Sequence, residues 1–325
     1  MAFPARPEGP LQVGISQCLL GEEVRYDGTG ARSSLPHAAL GDLFDYTAFC
    51  PEVAIGMSIP REPIRLVGDI DSYRVLGVKD ASIDKTDDLV GYAQQQVPVI
   101  KQLSGYIFMH NSPSCGLYRV KLYPPQQEGK QQVPGNRVAR GVYAAAVTRA
   151  LPHLPVEDAG RLFDDVLREN FVTRVFAYAH WQLVADDMTA GTLVAFHSRY
   201  KYLLMAHSIS AYQTAGRLLS DLRDNVGEKA QTYIGLLMQG LQQPATANGH
   251  SNVLSHLQGY LKNHLDSASR QELAALIQAY RRGEQPLLAP LALLRHHFEK
   301  FPDEYVLQQS YLDPHPAAAG LRRAL

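Results

Sequence analysis

Excess charge of one sign is missing from this sequence: 31 lysine and arginine residues face 32 aspartates and glutamates, a formal charge of −1 over 325 residues. No global positive field advertises a nucleic-acid binder, and DNA is not an expected partner. Long apolar runs are missing as well. None approaches the ~20 positions that a membrane-spanning helix needs. The N-terminal MAFPARPEGP carries prolines and charges where a signal peptide has an apolar core. A membrane is therefore not an expected partner, and the expected location is the cytoplasm. Hydrophobic residues at 46% with charged residues at 19% exclude intrinsic disorder as the main description. Cysteine is scarce: Cys18, Cys50 and Cys115 are the only three, and none follows Cys115. An odd number in a reducing compartment argues against a disulfide framework.

The chain length suggests about two domains, and the texture changes near residue 155. Before it, short β-rich runs alternate with helical ones. LQVGISQCLL (11–20), the run around YTAFC, YRVLGVK (73–79), GYIFMH (105–110) and YRVKLY (118–123) read as strands. TDDLVGYAQQQVPVIKQL (86–103) and VARGVYAAAVTRAL (138–151) read as helices, the first with Thr86 as N-cap and Pro98 as a kink or stop. The alternation predicts an α/β domain over 1–155 with a mostly parallel, Rossmann-like sheet. Leu162, Phe163, Val166, Leu167, Phe171, Val175 and Phe176 recur at helical spacing, and strand signals are absent thereafter. The expectation is a connecting helical segment over 156–188 and an all-α domain over 189–325.

Ligands of parallel sheets sit at the carboxyl ends of strands, and each cysteine falls at or just past such an end. Three distant positions could thus meet on one rim. If they share a metal centre, three thiolates without a fourth suit a cubane iron–sulfur cluster with one iron left open. The gaps match no compact motif such as C-x-x-C, and a buried cysteine is usually a small hydrophobe. A zinc site also stays open at this point.

The segments ISQCLLGEEVRYDG (15–28), FCPEVAIGMSIPREPIRL (49–66) and MHNSPSCG (109–116) resemble the thiouracil desulfidase family formerly labelled DUF523 (TudS). In the second half, LVAFHSRYKYLLMAHSISAY (193–212), HLQGYLKNHL (256–265) and LIQAYRRGEQPLLAPLALL (276–294) resemble the DUF1722 domain. The fusion is similar to the RudS-type tRNA 4-thiouridine desulfidases. The resemblance implies a [4Fe–4S] cluster on Cys18, Cys50 and Cys115 with one open iron. It also implies catalytic roles for Glu52 and for a serine of the Ser-Pro-Ser-Cys run, Ser112 or Ser114. The implied reaction is hydrolysis of C=S to C=O with release of hydrogen sulfide: the thiocarbonyl sulfur binds the open iron and Glu52 activates a water.

Arg25, Tyr26 and Asp27 are candidates for the pocket mouth, although RYDG is also good turn chemistry. Arg61 suits a phosphate or carboxylate contact, or a structural ion pair. In the helical half, His197, Arg199, Lys201 and His207 mix cations with aromatics in a way that suits RNA, or form an ordinary solvated face. The expected substrate is thiolated uracil, foremost 4-thiouridine in tRNA. A free 2- or 4-thiouracil salvage enzyme and a non-catalytic iron–sulfur RNA-binding regulator are the alternatives.

Overall fold

Val13 and Ile15 are fully buried on a strand whose intervening residue, Gly14, has room only because it lacks a side chain: a Cβ there would lie 2.4 Å from the Tyr106 ring. This is the signature of a central strand covered on both faces. In the computed structural model, which describes residues 3–33, 40–125, 134–316 and 320–324, the strand is β1 (Leu11–Ser16). It runs parallel to β2 (Phe44–Phe49) on one side and β5 (Gly105–Phe108) on the other. β5 in turn pairs in parallel with β8 (Val156–Asp158). The order is β2-β1-β5-β8, all parallel.

A second sheet, β4-β3-β6-β7, is mixed. β3 (Ile64–Asp69) and β4 (Ser72–Gly77) form an antiparallel hairpin, β6 (Val120–Tyr123) runs parallel to β3, and β7 (Asn136–Ala139) runs antiparallel to β6. Among the described residues three α-helices complete this unit: α1 (Pro51–Ala54), α2 (Thr86–Ile100) and α3 (Val142–Ala150). Thr86 is the first helical residue rather than the cap: its hydroxyl accepts from Val75 N (2.8 Å), and its own N–H is taken by Asp84 (2.9 Å). Pro98 lies in the last turn of α2, which ends at Ile100.

The chain divides after Phe163. One unit is Gly9–Phe163; the other joins Met1–Glu8 to Asp164–Leu325. The expected all-α character after residue 155 needs a correction, because 156–158 is a strand. Three residues are too few to show a period of two, and β8 is identified only by its pairing with β5. Likewise, 136–139 is a strand and the helix begins only at Val142.

The second unit is helical: α4 (Asp165–Ala185), α5 (Ala190–His207), α6 (Ile209–Leu219), α7 (Val226–Leu241), α8 (Ala247–Tyr260), α9 (Ser267–Arg281), α10 (Leu288–Lys300) and α11 (Glu304–Leu307). α4 does not act as a connector. Its Ala177, Trp181 and Val184 belong to the helical core with Phe196, Tyr233 and Leu254. Asp164 caps it, accepting from Val166 N (2.9 Å) and Leu167 N (3.0 Å). The N-terminal segment straps onto this unit. The Arg199 guanidinium lies 4.5 Å from the Phe3 ring, and His180 Nε2 donates to Pro4 O (3.2 Å). Burial holds His180 well below the usual imidazole range, at about 4, so this ring is neutral and Nδ1 accepts from Tyr200 (3.0 Å). Among the described residues no helix is long and apolar enough to cross a membrane.

The start of α3 is closed by a docking contact, since it has no side-chain cap. Its unpaired amides are satisfied by the loop after β5: Gly141 N donates to Gly116 O (2.7 Å), Val142 N to Pro113 O (3.0 Å) and Ala144 N to Ser114 O (3.1 Å). A Cβ on Gly141 would sit 2.4 Å from Ser114 O. Gly141→Ala is therefore expected to destabilise the α/β unit by ~1–3 kcal/mol, despite alanine's lower unfolded-state entropy. Denaturant unfolding checks it; an unchanged midpoint would refute the docking.

Candidate active site

The three adjacent parallel strands β2, β1 and β5 end level with one another: Ser16 is in register with Phe49, and Ile15 with both Ala48 and Ile107. Cys18 lies in the 3-10 turn that follows β1, Cys50 between β2 and α1, and Cys115 in the loop after β5. All three line one cavity of about 430 Å3 together with Glu52, a size typical of small-molecule sites. None is in a disulfide.

Burial is the first cause that pushes each thiol up, and the Glu52 charge is the second: Cys18 to about 11, Cys50 to about 12, and Cys115 well above its usual value. The sulfurs also feel one another, Cys115 sensing both Cys18 and Cys50. As bare groups they stay protonated at neutral pH, so ionising them together requires a positive centre between them. Among the described residues no three His, Cys, Asp or Glu side chains close on a single metal ion. Three soft donors around one cavity, none in a disulfide, fit an inorganic core of iron and sulfide.

Glu52 sits in the first turn of α1, behind Pro51. Its Oε1 accepts a hydrogen bond from Ser114 Oγ, and its Oε2 accepts from Cys50 Sγ (3.6 Å). Ser112 Oγ lies 2.9 Å from Ser114 Oγ and accepts from Cys115 N (3.0 Å) and Ser114 N (3.3 Å). Each hydroxyl has one proton. Since the Ser114 proton goes to Glu52, the Ser112 proton goes to Ser114, and the chain runs backbone amide, Ser112, Ser114, Glu52. Ser114 is fully buried, whereas Ser112 lines the cavity.

Arg25, Tyr26 and Arg61 also reach the cavity wall, but Asp27 does not. Asp27 closes the turn, accepting from Thr29 N (3.1 Å) and Thr29 Oγ1 (2.6 Å). Arg61 braces the same loop, its Nη1 donating to Val24 O (2.9 Å). Sequence reasoning missed Ser16, which accepts from Met109 N (2.9 Å), leaving its proton for Cys115. Its place two residues before Cys18, on the last inward position of β1, was the available signal. His110 and Asn111, also in the wall, were missed.

The helical candidates do not form the cationic face expected of them. Burial holds His197 at about 4, and its Nδ1 lies 3.3 Å from Tyr233 Oη. Burial also lowers His207, whose Nδ1 donates to Gln243 O (2.7 Å). Both are neutral at pH 7. Arg199 and Lys201 lie over rings, Arg199 at 4.5 Å from Phe3 and Lys201 at 4.8 Å from Tyr202 and 4.9 Å from Tyr305.

The family model described as 2-thiouracil desulfurase matches residues 13–159, and that described as protein of unknown function DUF1722 matches 201–316. The uncharacterized protein YbgA of Escherichia coli K12 is 39% identical over 165 residues, which are 50% of this chain and 95% of YbgA. The uncharacterized protein YbbK of Bacillus subtilis 168 is 32% identical over 108 residues, 31% of this chain and 71% of YbbK. A solved structure titled [4Fe-4S]-dependent thiouracil desulfidase TudS is 27% identical with a TM-score of 0.35, covering 47% of this chain and 93% of its own. The chain belongs to the 2-thiouracil desulfurase family, with a DUF1722 segment in the same polypeptide.

Proposed function

We propose that this chain is a non-redox desulfidase that replaces sulfur by oxygen in a thiolated uracil, with 4-thiouridine in tRNA as its substrate and Cys18, Cys50 and Cys115 holding a [4Fe–4S] cluster. The observation that carries the proposal is the convergence of three cysteines outside any disulfide, Cys115 buried and Cys18 and Cys50 half-buried, on one cavity with Glu52 in its wall. When bound, such a cluster supplies a Lewis-acidic iron without a protein ligand, a soft partner for a thiocarbonyl sulfur.

The chain's own residues do the proton work. Glu52 takes a proton from the attacking water as general base. Ser114 points one Glu52 oxygen by donating to it, and Ser112 fixes Ser114 in turn. The loop geometry rests on amides donated to Ser112 Oγ and on the α3 docking, so no solvent reorganisation is needed at the moment of reaction. A carbon–oxygen bond forms, the carbon–sulfur bond breaks, and both water hydrogens end on hydrogen sulfide. No electrons are transferred. A base inside tRNA must leave its stack to enter the cavity.

Cys18→Ala is expected to lose iron and visible absorption, whereas Glu52→Gln retains both and loses turnover by ~10²–10⁴-fold; iron content and anaerobic sulfide release decide. Near-parental turnover of Glu52→Gln would remove this residue from the chemistry. Ser114→Ala is expected to lower kcat ~10–100-fold with KM unchanged, while a pure KM effect would contradict its positioning role. Nucleoside analysis of treated tRNA, against turnover of free 4-thiouracil, tests the substrate. Equal efficiency on both would overturn the tRNA assignment.

A further inference from the structure

The mixed sheet carries a feature that the proton chemistry leaves unused. On one face of β3, β6 and β7, Leu66, Val120, Leu122 and Ala139 form a buried core. On β3 and β6 the two-residue alternation sends Arg65 and Lys121 to the opposite face. A register shift in the β6–β7 pairing between Val120 and Lys121 brings Arg137, two residues from Ala139, opposite Lys121. Arg65 and Lys121 each immediately precede the paired Leu66 and Leu122. Three cations thus stand in one row across three adjacent strands, ~10 Å from end to end at the usual strand spacing.

Like charges opposite one another across strands are destabilising, so the row has a cost in the absence of a counter-charge. It borders a trough of about 460 Å3, and among the described residues no carboxylate lines it. Arg137 Nη1 donates to Asn111 Oδ1 (2.7 Å), and the Arg65 guanidinium lies 5.5 Å from the Tyr123 ring. Both partners are neutral. Arg65 Nε is shielded from solvent without a hydrogen-bond partner. The trough also adjoins the cysteine-lined cavity, because Ile64, Asn111 and Pro113 line both.

We infer that the row Arg65–Lys121–Arg137 binds phosphate groups of the nucleotide whose base enters the cysteine-lined cavity. The inference rests on the desulfidase assignment of that cavity and narrows its substrate class to phosphate-bearing nucleotides. A guanidinium meets phosphate oxygens in a bidentate fork. Tyr123 offers a ring on which a flanking base stacks. The row is longer than one phosphate group, which favours successive phosphates of an RNA strand over a single monoester.

The test is fluorescence anisotropy of a labelled, unthiolated single-stranded oligoribonucleotide with the full chain, read against salt. R65Q/K121Q/R137Q is expected to bind ~10-fold or more weakly. Its slope of log affinity against log salt should be shallower by about 2, at ~0.7 per released phosphate contact. R65K/R137K keeps the charges and should keep the slope; K121Q alone, at an exposed site, should lose ~0.7 of it. Parental affinity and slope in the triple variant, with an unchanged thermal unfolding midpoint, would overturn the inference. Should the triple variant not fold, K121Q decides by the same slope. Displacement by uridine monophosphate at comparable phosphate concentration would assign the row to a monoester, whereas much weaker displacement assigns it to the strand. Binding needs no thiolated base and no turnover. A failed desulfidation assay would thus leave this result standing, and a failed binding assay would leave the desulfidase assignment standing.

Discussion

Three parallel strands that stop at the same height decide where everything else in the α/β unit goes. Parallel pairing needs crossovers, which separate β1, β2 and β5 in sequence while keeping their ends on one rim. Each end delivers a cysteine. The apolar packing beneath, with Tyr106 filling the space over Gly14, fixes the height of the rim. Antiparallel neighbours would have sent alternate ends to opposite edges and left the thiols apart.

The loop after β5 is the second determinant. A loop this close to reacting groups would ordinarily be mobile, but here its carbonyls complete the first turn of α3. The amides that a helix leaves unpaired hold the backbone of Pro113, Ser114 and Gly116, and Ser112 captures the amides of Ser114 and Cys115 from within. The positive end of the helix therefore faces a loop beside Glu52 and the sulfurs, where negative charge is favoured.

That the cysteines could meet was legible from their strand-end placement in the α/β pattern, whereas reading them as one set, with Glu52 beside them, came from the family resemblance of the motifs around them. The order of the two serines was not legible, since both precede Cys115 closely and only the direction of one proton separates them. The strand at 156–158 hides in a helical-looking run, being too short to display a period of its own. Arg65, Lys121 and Arg137 are spaced 56 and 16 residues apart on three strands, so only pairing register reveals that they form a row. His197 and His207 look cationic in a polar-aromatic stretch. Their partners, Tyr233 and the Gln243 carbonyl, come from a later helix and the turn after it, and burial there keeps both rings neutral.

The strap formed by Phe3 and Pro4 makes the helical unit discontinuous, because the α/β unit is spliced into it between Glu8 and Asp164. During vectorial synthesis the strap leaves the ribosome before either of its partners, His180 and Arg199, exists. The α/β unit can close its own sheet first, since all its strands lie before residue 159. The strap meets its first partner, His180, only when α4 appears, and Arg199 only with α5. A gene cut at the 163/164 boundary would accordingly yield one fragment with a loose tail and another with an uncovered imidazole, so the clean place to divide this polypeptide in sequence is not the place where its two cores divide in space.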